Sequence, residues 1–315
     1  MTDAAIDTRD LAKAWGRTVA LEALTMRVER GEVFGFLGPN GAGKTTAVKL
    51  LLGLARPTGG GGTVLGAPLG DRETRARIGY LPELFRYQPW LRAREVLALH
   101  CDLARIPGAA RGAEIEAALA TVNLAERGND LVGTFSKGMQ QRLGLGVALL
   151  GSPDLVVLDE PTSALDPVGR TEVRSIVRAV ADRGATVFLN SHLLGEVERV
   201  CDRVAIVDRG RVVAAGRPDE LGAEEGVRVV VAAASGGPRP AGGADAVDVA
   251  AAAAEVAARF GPVAVDGDAL RVGCPPGSVP DLVAALVAAG VRLAEVTPVR
   301  SSLEDRFLEI VAADR

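Results

Sequence analysis

The chain has 315 residues, 48% of them apolar and 24% charged, with a net charge of -4 and an isoelectric point near 5.5. That composition suits a buried core and excludes a disordered chain, while the acidic balance gives no polybasic footprint for nucleic acid. Cys101, Cys201 and Cys274 are odd in number and far apart, without a C-x-x-C pair, so reduced buried thiols are expected rather than a disulfide framework. The segment Met1 to Asp10 lacks the apolar centre of a signal peptide, and export is not expected. The longest uncharged apolar stretches, such as Leu143 to Pro153, fall well short of the ~18 residues that read as a membrane span. Work at a membrane would need a span from another chain.

In chain order, Ala4 to Asp10 and Val19 to Val28 alternate as short strands, and Val33 to Leu37 is a continuous apolar run typical of a buried parallel strand. It leads directly into Gly38, Pro39, Asn40, Gly41, Ala42, Gly43, Lys44, Thr45 and Thr46, which fit the phosphate-loop pattern G-x-x-x-x-G-K-[ST]. The chemistry requires these residue types. Glycines let successive backbone N–H groups converge on phosphate oxygens, Lys44 reaches the β and γ phosphates, and the Thr45 hydroxyl can hold Mg²⁺. The chain has four lysines against 32 arginines, so a lysine in this slot is poorly explained by composition. A helix over Lys44 to Leu54 carries the loop. Pro57 to Gly62 reads as a glycine-rich turn, and no Lys-Thr pair follows it.

From about Leu91 to Leu150 the pattern is helical, with helices at Ala93 to Ala104, Arg111 to Val122 and Gly138 to Leu150 forming an inserted lobe. Strands at Leu155 to Leu158, Thr186 to Asn190 and Arg203 to Val207 then alternate with helices at Thr171 to Arg183 and Leu194 to Cys201. They rebuild a mostly parallel sheet around the phosphate loop. The run Leu155-Val-Val-Leu-Asp159-Glu160 sets a carboxylate at the end of a buried strand. Asp159 fits a Mg²⁺ ligand, direct or through water, and Glu160 fits a base for an attacking water.

Composition changes near Glu220. Ser235 to Ala244 reads as a flexible loop, and Val249 to Arg259 and Val279 to Ala289 as helices. Strands are expected at Val227 to Ala232, Val263 to Val265, Ala269 to Val272 and Val291 to Val296. With a last helix at Ser302 to Val311, the order βαββαβ suggests a small split-βαβ domain over residues 223–315, after a first domain over residues 1–222.

The segments from Trp15 to His192 together resemble an ABC-transporter ATPase subunit. Phe135-Ser136-Lys137-Gly138-Met139, followed by Gln140-Gln-Arg142, is similar to the ABC signature. Ser136 and Gly138 are retained, and Lys137 and Met139 depart from the common Leu-Ser-Gly-Gly-Gln. Ser163-Ala-Leu-Asp166 resembles the D-loop, and Ser191-His192 the switch histidine; His192 is one of two histidines. The other, His100, belongs to packing or surface. Ile78-Gly-Tyr-Leu-Pro-Glu83 resembles the Q-loop, with Glu83 where Gln is usual. Trp15 matches the aromatic that stacks on adenine, with a core tryptophan as the competing reading.

The resemblance implies an α/β P-loop NTPase fold of the ABC type. It has an N-terminal antiparallel β-subdomain, an inserted α-helical subdomain at about 86–150 and a small α+β C-terminal domain. It implies ATP and Mg²⁺ as cofactors, with Lys44, Glu160, His192 and Glu83 in catalysis and Thr45, Asp159 and Glu83 at the metal. Trp15, the phosphate loop, Ser136, Gly138 and Asp166 would bind nucleotide. The signature, the Tyr-Leu-Pro-Glu loop and the ending Ser302-Leu-Glu-Asp-Arg-Phe307 look most similar to exporters of the daunorubicin-resistance type.

In that branch the membrane-spanning permease is a separate polypeptide. The ATPase sits at the cytoplasmic face of the membrane and closes on ATP with a second copy of itself or a paired ATPase. Phe85, Tyr87 and Trp90 would then be either docking surface or a staple inside the lobe. Two other readings remain at this stage. A soluble ABC ATPase acting on nucleic acid or ribosomes fits poorly with one copy of each motif and an acidic chain. A nucleotide-sensing interaction protein with a silent site fits poorly with the intact Lys44, Thr45, Asp159, Glu160 and His192.

Overall fold

The structure is a computed structural model that describes residues 4–163, 165–221, 224–232, 246–300, 303 and 307. It divides into two compact units, one of Met1–Leu221 with Phe307–Arg315 and one of Gly222–Arg306.

The first unit opens with a hairpin, β1 (Ile6–Trp15) and β2 (Thr18–Val28), turned at Gly16 with φ 60°. β3 (Val33–Leu37) is buried at every position, as expected of a strand covered on both faces. The phosphate loop follows, then α1 (Lys44–Leu51), which ends earlier than its apolar pattern suggested because Gly53 turns left-handed at φ 66°. The turn expected over Pro57 to Gly62 is corrected: Gly59–Val64 is strand β4, paired antiparallel with β1. Backbone proximity rather than strand propensity decides this. A Cβ on Gly62 would lie 2.5 Å from the Asp7 carbonyl oxygen, and one on Gly60 would lie 1.9 Å from that of Asp10. The short β5 (Ala67–Pro68) completes an antiparallel sheet of order β2-β1-β4-β5.

After α2 (Arg72–Arg75) and β6 (Ile78–Leu81) comes the helical lobe: α3 (Ala93–Leu103), α4 (Gly108–Thr121) and α5 (Lys137–Ala148). Val96, Leu97, Cys101, Leu119, Leu143 and Leu145 are buried within it. The chain then returns to α/β alternation with β7 (Leu155–Asp159), α6 (Pro167–Asp182), β8 (Thr186–Asn190), α7 (Leu194–Val200) and β9 (Arg203–Asp208). β10 (Arg211–Gly216) and α8 (Pro218–Leu221) close the unit. The central sheet has the order β10-β9-β3-β8-β7-β6, parallel except where β10 folds back on β9. Phe34, Phe36 and Phe188 pack across its middle, with ring centroids 6.0 and 5.2 Å from Phe188.

The second unit runs β11 (Glu224–Val231), α9 (Ala246–Ala257), β12 (Val263–Asp266), β13 (Ala269–Val272), α10 (Val279–Ala288) and β14 (Leu293–Arg300). This is the expected βαββαβ order. Its sheet is antiparallel, ordered β12-β13-β11-β14, and buries Val227, Val229, Leu270 and Val272 with Ala253, Ala257, Leu282 and Leu286 from the helices. The loop expected at Ser235 to Ala244 lies outside the described residues. So does the helix expected at Ser302 to Val311, apart from Leu303 and Phe307. Cys101, Cys201 and Cys274 are free and buried. No helix among the described residues is long and apolar enough to cross a membrane.

Two neighbouring glycines of β4 test the backbone account. Gly60→Ala should destabilise the first unit by about 2 kcal/mol or more, because a side chain meets the Asp10 carbonyl in a left-handed conformation. Gly61→Ala, which meets nothing within 4 Å, should stay within about 0.5 kcal/mol. Chemical denaturation followed by a signal from the first unit checks both, and equal effects would remove the explanation.

Candidate nucleotide site

Parallel pairing determines which residues meet. β8 lies between β3 and β7, and its last residue, Asn190, is opposite Phe36 on one side and Asp159 on the other. The carboxyl ends of three strands therefore open on one place, where ligands of open α/β sheets bind. A cavity of about 450 Å³ lies there, lined by Gly38, Pro39, Asn40, Lys44, Thr45, Glu83, Asp159, Glu160, Asn190, His192, Leu194 and Phe307.

The loop between β3 and α1 is built for close approach. Gly41 and Gly43 have φ of 86° and 98°, conformations that favour glycine. A Cβ on Gly38 would lie 2.3 Å from the Val207 carbonyl oxygen, and one on Gly43 would lie 2.4 Å from that of Ala20. Gly43 caps α1 without a side-chain hydrogen bond, and no acidic residue occupies the first turn. The N-terminal N–H groups thus lack an anionic partner from their own helix. Lys44, buried at the loop's centre, donates from Nζ to the Gly38 and Pro39 carbonyls at 2.6 and 3.1 Å. Ala42 is buried beneath the loop, Thr45 is exposed toward the cavity, and Thr46 is half-buried.

Opposite the loop, Asp159 is 3% and Glu160 7% exposed. Glu160 has a left-handed backbone, φ 52°, which costs roughly 1–2 kcal/mol for a residue with a side chain. Its N–H donates to the Asn190 carbonyl at 2.9 Å, and its own carbonyl accepts from Ser163 Oγ at 3.2 Å. Two such bonds offset a cost of that size. His192 Nδ1 lies 2.8 Å from Glu160 Oε1, while Glu160 Oε2 is buried without a hydrogen-bond partner. The Asn190 side-chain amide donates from Nδ2 to Asp159 Oδ1.

Charge is unbalanced among the described residues lining the cavity, where Asp159, Glu160 and Glu83 face a single ammonium. Burial pushes the Lys44 ammonium below its ordinary value, opposed by Glu160, Asp159 and Glu83. Burial pushes the Asp159 carboxyl up; the Asn190 hydrogen bond draws it back, and Glu83 and Glu160 push it further up. An excess of carboxylate with an orphaned buried acceptor fits a divalent cation and ordered water. Among the described residues no three or more His, Cys, Asp or Glu side chains could hold a metal by themselves. Oxygen ligands from a bound phosphate would complete such a sphere, as Mg²⁺ favours.

Other expected site residues lie outside this cavity. Ser136 caps α5, accepting from the Met139 N–H at 3.2 Å, and a Cβ on Gly138 would lie 3.7 Å from Leu165 Cδ2. Asp166 caps α6, accepting from the Gly169 N–H at 2.7 Å. Trp15 is 48% exposed at the end of β1, with Lys13 Nζ 4.3 Å from its ring centre, so it is not a core tryptophan. Phe85 stacks obliquely on Tyr87, which meets His100 edge-on, whereas Leu84 and Trp90 are exposed. Sequence reasoning missed Asn190, Leu194 and Phe307 in the cavity. For Asn190 a signal existed: like Asp159, it is a polar residue ending an otherwise apolar strand.

A glycine-rich loop between a central parallel strand and a helix, faced by an acidic strand end, defines a P-loop nucleoside triphosphatase. Residues 21–163 match the family model described as ABC transporter. The chain is 41% identical to an uncharacterised ABC transporter ATP-binding protein of Synechocystis sp., over 92% of this chain and 77% of that one. It is 37% identical to a daunorubicin resistance ATP-binding protein of Streptomyces coeruleorubidus, over 100% of this chain and 98% of that one. The structure of the ATP-binding subunit of an ABC transporter superposes with a TM-score of 0.62 at 31% identity, covering 69% of this chain and 91% of that one. The chain belongs to the ATP-binding subunits of ABC transporters, a family that hydrolyses ATP to power transport.

Removing the one cation at the loop's centre tests the cavity as the ATP site. Lys44→Ala should weaken ATP binding by on the order of 10-fold or more, measured by titration calorimetry, because an ion-assisted contact to phosphate is lost. Unchanged affinity would place ATP elsewhere.

Proposed function

We propose that this chain powers export of a drug-like or hydrophobic substrate through separate membrane-spanning permease subunits, acting from the cytoplasmic face of the membrane. Residues 1–222 form the ATPase domain of this reading and residues 223–315 an accessory domain. The observation that carries it is the split of the motifs. Lys44, Thr45, Asp159, Glu160 and His192 meet in one cavity, whereas Ser136 and Gly138 stand outside it at the start of α5. A site divided in this way is completed by a second copy of the chain or by a paired ATPase, two-fold related so that each loop faces the other's signature. Full-length similarity to a daunorubicin resistance protein supports the export branch.

The geometry supports the following roles. Backbone N–H groups of residues 41–46 and the Lys44 ammonium hold the phosphates, with Pro39 and Asn40 at the rim. Thr45, Asp159 and Glu83 would hold Mg²⁺, which would supply positive charge to the phosphates. Glu160 Oε2, free of any donor, accepts a proton from the attacking water, while His192 steadies Oε1. Trp15 offers an exposed ring face for adenine, and Ser136, Gly138 and Asp166 act across the dimer. Leu84 and Trp90, 88% and 68% exposed beside the lobe, form the surface for the permease.

Glu160→Gln keeps the shape and loses the base, so ATP should bind normally while turnover falls by on the order of 10²-fold or more. Wild-type turnover in this variant would move the base elsewhere. Ser136→Arg should abolish hydrolysis through the interface and spare ATP binding by the monomer. Mixed with Lys44→Ala, it should regain partial hydrolysis, because one loop and one signature remain intact in a mixed dimer. Full activity of Ser136→Arg at a concentration where it is monomeric would sink the shared site.

A further inference from the structure

Asn190 lies at the centre of the site and belongs to none of the motifs discussed above. It is 2% exposed at the end of β8 and bonds both to Asp159, the last residue of β7, and to Glu160, which follows it. Its carbonyl accepts from the Glu160 N–H at 2.9 Å, and its side-chain Nδ2 donates to Asp159 Oδ1. The amide orientation follows from chemistry, since the reverse would set two acceptors against each other. With Nδ2 engaged, Oδ1 is buried without a partner in a residue that lines the cavity.

A strand end in a sheet core is normally apolar or fully satisfied, and a buried amide with an orphaned oxygen carries a cost of about 1–3 kcal/mol. Fold alone gives no reason to retain it. A carboxylate that serves a metal must present one oxygen in a fixed direction, and groups that hold its other oxygen are worth 10- to 100-fold in metal affinity. Asn190 is placed to do this.

We propose that Asn190 is the positioning residue of Asp159: its amide pins Oδ1 and leaves Oδ2 as the oxygen offered to a magnesium–nucleotide complex. This rests on the reading of Asp159 as a metal ligand. The experiment measures the affinity of a non-hydrolysable ATP analogue with Mg²⁺ and in EDTA, and takes the ratio of the two dissociation constants. Asn190→Leu, similar in size but without the donor, should lower that metal enhancement by on the order of 10-fold and leave EDTA-state binding near wild type. Asn190→Ala removes the donor without adding bulk and should do the same, which covers a failure of the leucine variant to fold.

On an Asp159→Asn background, Asn190→Leu should change the ratio by less than about 2-fold, because two residues acting through one contact are not additive. A wild-type ratio in folded Asn190→Leu or Asn190→Ala overturns the proposal, as does an equal loss on both backgrounds. If Asp159→Asn alone keeps the wild-type ratio, the metal-ligand reading itself falls. A general structural defect would instead weaken binding equally with and without Mg²⁺, and that outcome also counts against a positioning role.

Discussion

The site depends above all on the register of three parallel strands. β3 delivers the phosphate loop, β7 delivers Asp159 and β8 joins them, with Asn190 opposite both Phe36 and Asp159. Phe34 and Phe36 of β3 pack against Phe188 of β8 and help hold the pairing of those two strands, while β7 and β8 pair through continuous apolar runs. A slip of one residue would turn every side chain of β8 to the opposite face. It would move Asn190 off the carboxylate and displace the carbonyl that secures Glu160 in its left-handed conformation. Apolar packing in the sheet is therefore what turns separate sequence motifs into one cavity.

What could be read in advance follows from this. Val33–Leu37, Leu155–Asp159 and Thr186–Asn190 were legible as strands because a sheet covered on both faces demands continuous apolar runs. The phosphate loop was legible because its backbone conformations and close contacts admit few residues besides glycine at Gly38, Gly41 and Gly43. Gly59–Val64 was not legible, since glycine carries no strand preference and the pairing is decided by β1, about fifty residues earlier. Asn190 was passed over for another reason. A polar residue ending an apolar strand is usually solvated, and only the neighbouring strand shows that this one is buried against a carboxylate. The division of Phe85 and Tyr87 from Trp90 was likewise settled by packing that periodicity does not contain.

The cavity is costly to maintain. Among the described residues it holds three carboxylates against one ammonium, a left-handed glutamate and two buried acceptors without donors. The left-handed backbone is offset by its own hydrogen bonds, but each unpaired acceptor disfavours the unliganded fold by about 1 kcal/mol or more, which the surrounding apolar core must offset. Such strain is tolerated where binding relieves it. On the proposed reading, Mg²⁺ offsets the carboxylate excess, and water held near the phosphates supplies the missing donors.

Glu83 fits the same logic from the other direction. It is exposed at the rim, on the segment that leads from β6 into the helical lobe, and its charge reaches both Lys44 and Asp159. A glutamine there would ligate as a neutral oxygen, whereas the carboxylate repels Asp159 and is drawn in only when a cation lies between them. Its free energy therefore changes more with metal and nucleotide than a neutral residue's would. Leu84 follows it directly and Trp90 lies further along the same segment, so on the proposed reading a rim carboxylate that faces the cation sits beside the surface offered to the permease. Coupling between the two sites then needs only a shift of this segment, since a ligand biases a conformation by the difference in its affinity for the two states.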